Sequence, residues 1–102
     1  MYRASDEREH ADWLKHLEVA ADRLDLGTGA RSRARDVFLL TVDDTDNSRQ
    51  TTLATALYIG GLVAGEEQSQ QAVADAVGVS RLSIQQHWKD QLRAAGLEPP
   101  DW

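Results

Sequence analysis

The stretch QQAVADAVGVSRLSIQQHW, residues 70–88, decides the fold. Val73 and Val77 lie one turn apart and face a core from a first helix, and Ala74 is small where a second helix can cross it. Gly78 stands where the chain must turn, because a positive φ costs glycine least. Val79 plugs that turn and Ser80 is placed to cap the next helix, with Ile84 and Trp88 four apart on its buried side. This punctuation predicts a helix-turn-helix over residues 69–94, opened by Ser69 as N-cap and closed near Ala95. Gly96 is the stop, and Pro99-Pro100 lie beyond it. The tail, 96–102, reads as an extended strap or a frayed end.

Upstream, three more helical patterns precede the motif, and no strand pattern does. Residues 49–64 are apolar on every side (Leu53, Ala54, Ala56, Leu57, Tyr58, Ile59, Leu62 and Val63), as expected of a central helix enclosed by others. Ala54, Ala56, Gly60 and Gly61 let neighbouring backbones come close. A second helix is expected from about Ala30 to Val42, with Ala34, Val37, Phe38 and Thr41 inward, followed by a polar turn from Asp43 to Ser48. The first helix is expected to open at Ser5, with Asp6 and Glu7 at the positive end of its dipole, and to be ended by Gly27 and Gly29. Its apolar face is Trp13, Leu14, Leu17, Ala20, Ala21 and Leu24. The expectation is therefore an all-α protein of five helices in a single domain, 1–102, ending in the helix-turn-helix.

Composition narrows the function classes. With 102 residues there is room for one core. The absence of cysteine removes disulfides and thiolate metal sites. No apolar signal core opens the chain and no stretch is long enough to span a bilayer, so a cytoplasmic protein without membrane contact is expected. Net charge is −6, with 17 acidic residues against 11 basic. Aspartate is abundant and only Lys15 and Lys89 are lysines, the balance that a salt-rich, halophilic cytoplasm favours. Such an acidic protein is not a non-specific nucleic-acid coat. Residues 68–95, however, set Arg81, Lys89 and Arg93 against Asp75 and Asp90, a formal +1 in an otherwise acidic chain.

These residues also carry a family resemblance. Leu53-Ala54-Thr55-Ala56-Leu57-Tyr58-Ile59, Ser69-Gln70, Ala72-Val73-Ala74, Gly78-Val79-Ser80, Ser83-Ile84 and Trp88-Lys89 make the chain resemble a repeat of transcription factor IIB. Its archaeal counterpart, transcription factor B, shares that cyclin-like repeat, and the likeness is to the C-terminal copy. It covers about residues 14 to 95 and, with the composition, points to a halophilic archaeon. It implies five helices packed around the third, as in cyclins. It also implies a second motif helix entering the major groove of promoter DNA beside the TATA box, with the TATA-binding protein or other transcription proteins as partners. Family contacts come from an apolar residue and an Arg three positions later, which here correspond to Leu82 and Gln85; His87 matches a second basic position. Arginine pairs with guanine and glutamine better with adenine, so the departure at Gln85 implies a different preference. The family's intact factors also carry a zinc ribbon and two repeats. A cysteine-free chain with room for one repeat is therefore expected to act as a stand-alone regulator or a rival of the full factor.

The DNA-facing candidates are Arg81, Leu82, Gln85 and Gln86 for base edges and Lys89 and Arg93 for phosphates; Asp90 among them opposes phosphate. On the opposite, buried side of that helix the wheel places Ile84, Trp88, Gln91 and Ala95. Arg31, Arg33 and Arg35 spread around their helix and are expected to partner Asp36 and the Asp43–Asp46 turn. Trp13, Tyr58 and Trp88 read as core. Asp12 and His16 are four apart, a two-ligand arrangement without a third partner, and His10 lies on another face. No phosphate loop or nucleophile constellation is present, so the expectation is no enzyme, no catalytic residue, no metal and no cofactor. Two functions stand open: a DNA-associated transcription regulator, or a cyclin-like protein-interaction module without DNA contact.

Overall fold

In the computed structural model, which describes residues 10–97, the order of elements is α1 (Ala11–Arg23), α2 (Thr28–Thr41), a 3-10 turn (Val42–Asp44), α3 (Arg49–Val63), α4 (Gln70–Val77) and α5 (Arg81–Ala94). Among the described residues there is no strand, and the domain is an all-α, five-helix, cyclin-like one. α3 is the hub and touches all four other helices. Every residue from Thr52 to Gly61 is buried, as its unbroken apolar surface required. The hydroxyls of Thr52 and Thr55 are satisfied inside α3 itself, donating to the Ser48 and Thr51 carbonyls at 3.0 and 2.8 Å.

α2 lies closest to the hub. A Cβ built on Gly60 would stand 2.6 Å from the Ala30 carbonyl oxygen and 2.7 Å from the Ala34 nitrogen, so only glycine admits this crossing. The core around it comprises Leu14, Leu17, Phe38, Leu53, Leu57, Ile59, Val73, Ile84 and Leu92, from all five helices.

Four of the helices end in one device. The amide two residues beyond the last turn reaches back five positions: Leu26 to Ala21, Glu66 to Gly61, Val79 to Ala74 and Leu97 to Leu92. The residue before that amide is left-handed in each case: Gly65, Gly78, Gly96 and, for α1, Asp25 at φ +55°. This corrects the expectation that Gly27 and Gly29 stop the first helix. Gly27 is instead the N-cap of α2, and Gly29 lies within it. Gly27 has no side chain to cap with, and the Glu66 carboxylate accepts its backbone N–H at 2.9 Å from across the fold.

At the other end of α1 the helix starts at Ala11, with His10 as its N-cap residue. Ser5, Asp6 and Glu7 lie outside the described residues, as do Pro99, Pro100 and Trp102 of the tail. His10 is 3% exposed, stands edge-on to Phe38, and has its Nε2 3.5 Å from Asp43 without a hydrogen bond. The sequence placed His10 on another face and gave no sign of this burial.

Arg31 also differs from expectation. It does not join the Asp43–Asp46 turn but reaches α1, bonding Asp22 at 2.6 Å, Glu18 at 3.1 Å and the Leu26 carbonyl at 2.8 Å. Those two carboxylates raise its already high pKa, Asp22 most, so it stays a cation at any pH the fold survives.

Candidate nucleic-acid interface

α4, the turn at Gly78 and α5 form where the punctuation places them. Ser69 accepts the Ala72 amide at 3.0 Å and opens α4. Gly78 turns the chain at φ +93°, and Ser80 accepts the Ser83 amide at 3.2 Å to open α5. Val73, Ala74 and Ile84 are fully buried where the helices cross, and Val77 and Val79 pack half-buried around them. Trp88 is buried and meets Tyr58 edge-on, with ring centroids 5.4 Å apart. Gln91 is buried too and donates to the Thr52 carbonyl at 3.0 Å, which ties α5 to the start of α3. Leu92 completes this face, and Ala95, expected to be buried, is only half so.

α4 has only eight residues, and the last carbonyls of so short a helix need outside donors. They find two. Arg23 of α1 donates to the Ala76 carbonyl at 2.9 Å, and Gln50 of α3 donates to the Val77 carbonyl at 3.1 Å. Beside these donors a cleft of about 290 Å³ opens, walled by half-buried Trp13 and exposed Val19. Trp13, expected in the core, is thus at its margin.

The six candidate residues Arg81, Leu82, Gln85, Gln86, Lys89 and Arg93 are all exposed. At 3.6 residues per turn they fall within an arc of about 140° on α5. Leu82 is 52% exposed, a large apolar side chain held outward at the first turn. Arg81 donates to the Gln85 Oε1 at 2.6 Å. Further along, Lys89 lies with its Nζ 5.7 Å from the centre of the Trp88 ring, and Arg93 pairs with Asp90 at 3.4 Å.

The two halves of α5 therefore differ electrostatically. Its second half borders a groove of about 330 Å³ lined by Asp44, Asp46 and Asp90, with His87 on its wall. His87 thus shares this groove with carboxylates. Among the described residues no group of three or more His, Asp or Glu is placed to hold a metal ion, and no helix is long and apolar enough to cross a membrane.

Removing the Ser80 hydroxyl tests how far α5 depends on its cap. Ser80→Ala should cost about 1 kcal/mol and lower the melting temperature by roughly 4–8 °C for a domain of this size. Circular dichroism reads this directly, and an unchanged melt would show that the cap contributes nothing.

Comparison with known proteins finds relatives by sequence alone. No family model matches the chain, and no solved structure matches it significantly. It is similar to transcription initiation factor IIB of Haloarcula vallismortis, 25% identical over 92 residues that cover 87% of this chain and 81% of that protein. Transcription initiation factor IIB 7 of Halobacterium salinarum is 24% identical over 94 residues. Transcription initiation factor IIB 2 of Thermococcus kodakarensis is 24% identical over 90 residues. The alignments cover 89% and 85% of this chain but only 29% of either of those two proteins. An origin in a halophilic archaeon is consistent with the first two.

Proposed function

We propose that this chain, similar to one repeat of archaeal transcription factor B, acts in transcription by laying the first two turns of α5 in the major groove of promoter DNA. The observation that carries this reading is the exposure of Arg81, Leu82, Gln85 and Gln86 together at the start of a capped, well-packed second helix. That is the part of a helix-turn-helix that meets base edges. The surrounding segment is also the part of the chain relieved of negative charge. Lys89 and Arg93 then serve phosphates, while Asp90 and the acidic groove keep the second half of α5 from lying deep against the backbone. Groove contacts, rather than bulk charge, supply the recognition. The TATA-binding protein and other transcription proteins are the protein partners this reading implies.

Fluorescence anisotropy with labelled promoter duplexes over a salt series tests it. With only two or three cations facing phosphate, log affinity should fall by about 0.9 per contact for each decade of salt. The expected total slope is therefore near −2 to −3, alongside a clear difference between sequences. Folded protein that binds no duplex preferentially at any salt would overturn the reading.

A second reading, a protein-interaction module without DNA contact, is favoured by the cleft beside Trp13 and Val19. It predicts substitutions in that cleft, and not at Leu82 or Gln85, to abolish the chain's effect on transcription.

A further inference from the structure

The cleft among α1, α3 and α4 differs in charge from the rest of this acidic chain. We propose that it docks a segment of a partner protein that sets an acidic side chain beside apolar ones. This rests on the cleft of the second reading being an interaction surface, and it holds whether or not α5 meets DNA. The apolar walls include half-buried Trp13 and Val77 and exposed Val19, and the polar groups are His16, Arg23 and Gln50. Among the described residues no carboxylate lines it, in a chain of net charge −6. The groove beside α5, by contrast, is lined by Asp44, Asp46 and Asp90. Acids on the flanking helices are engaged elsewhere: Glu18 and Asp22 bond Arg31 at 3.1 and 2.6 Å, and Asp75 accepts from Gln71 at 2.8 Å.

Arg23 is the group that selects the acid. Among the described residues its guanidinium bonds the Ala76 carbonyl at 2.9 Å and no carboxylate. That bond uses one of five N–H donors and steadies the planar head, leaving the others for an incoming carboxylate, which can take two side by side. Gln50 is held in the same way by the Val77 carbonyl at 3.1 Å. Both polar side chains are therefore ordered before anything binds, and little entropy is lost when it does. The Trp13 ring stands 5.6 Å from that of His16, tilted by 52°. With Val19 and Val77 it offers cover to a partner's apolar side chains. Trp13, His16, Ala20 and Arg23 recur every three or four residues on one face of α1, over a length of about 15 Å. That length suits about three turns of helix or about five extended residues, more than a small carboxylate would cover. The occupant is thus a peptide segment whose carboxylate meets Arg23 while its apolar side chains lie against Val19 and Trp13.

A displayed library of random peptides, selected on the folded full chain and sequenced, tests this beside two variants, Val19→Glu and Arg23→Gln. Val19 is 49% exposed, so its replacement spares the core. Arg23→Gln loses a donor to α4, and circular dichroism checks its fold; if it melts early, Val19→Glu and the amide peptides carry the test. Peptides enriched on the wild type should combine Asp or Glu with large apolar residues. Labelled and titrated by anisotropy, they should bind each variant about tenfold more weakly, and exchanging their acid for its amide should cost a similar factor. Enriched peptides without an acid, whose binding Val19→Glu alters, would overturn this occupant and leave the cleft as an interaction surface. No enrichment, or binding that neither variant alters, would remove the docking surface and the support it lends the second reading. A chain that dimerises in sedimentation, and no longer does so as Val19→Glu, would make a second copy the occupant and also overturn the proposal.

Discussion

Gly60→Val should abolish cooperative folding or lower the melting temperature by well over about 10 °C. The crossing of α2 over α3 leaves no space for a side chain. A Cβ at Gly60 would lie 2.6 Å from the Ala30 oxygen, 2.7 Å from the Ala34 nitrogen and 2.8 Å from the Ala34 Cβ. None of these atoms belongs to a flexible side-chain end, so relief requires the helix axes to part. Overpacking a core costs about 1–3 kcal/mol for small insertions, and valine adds two further methyl groups to the clash. Replacing glycine inside a helix returns at most about 1 kcal/mol. A domain stabilised by roughly 5–15 kcal/mol has little room for such a loss. Gly29→Ala is the control, because nothing lies within 4 Å of a Cβ at Gly29 and the site is helical. Thermal melts followed at 222 nm should separate the two widely; coincident melts would mean the helices do not cross this closely.

Phe38→Ala should be the most damaging truncation. Phe38 is the only phenylalanine, is 0% exposed, and heads the fully buried side chains by volume. Emptying such a site typically costs about 3–5 kcal/mol, the spread depending on how far the cavity collapses. Here the cavity would border the His10 ring, whose Nε2 lacks a hydrogen bond beside Asp43. A water entering that space would find a polar partner, which places the expected loss toward the lower end of the range. Urea titration should show the midpoint falling with an unchanged slope, and Phe38→Leu should recover most of the loss. A cost below about 1 kcal/mol would mean that Phe38 is not the keystone its burial indicates.

What the sequence conveyed, and what it did not, follows from the kind of signal each residue carries. Ser69, Gly78 and Ser80 act on their own neighbours, so their roles could be read locally, and the unbroken apolar run of α3 could only be central. The end of α1 was misread because its left-handed residue is Asp25, whereas the other three helices that use this device place glycine there. Arg31 was assigned to nearby aspartates in the chain, yet its partners Glu18 and Asp22 are neighbours only once α1 and α2 pack. Arg81 and Gln85 were each legible as candidates, and their four-residue spacing was in plain view. That the two side chains bond each other was seen only in the folded chain. The burial of His10 is tertiary in origin, and no local pattern announces it.

The two side chains that complete the end of α4 have a consequence for how the domain opens. An isolated helix shorter than about 12–15 residues is marginal in water, and α4, at eight residues, leans on Arg23 and Gln50 from two other helices. That helix therefore has no independent existence. Amide protons in α4 should exchange with solvent only when the whole domain opens, at the slowest rates the molecule offers. The shape of the α4–α5 surface and the integrity of the fold become one equilibrium, so whatever fraction of the chain is unfolded is also the fraction that lacks that surface.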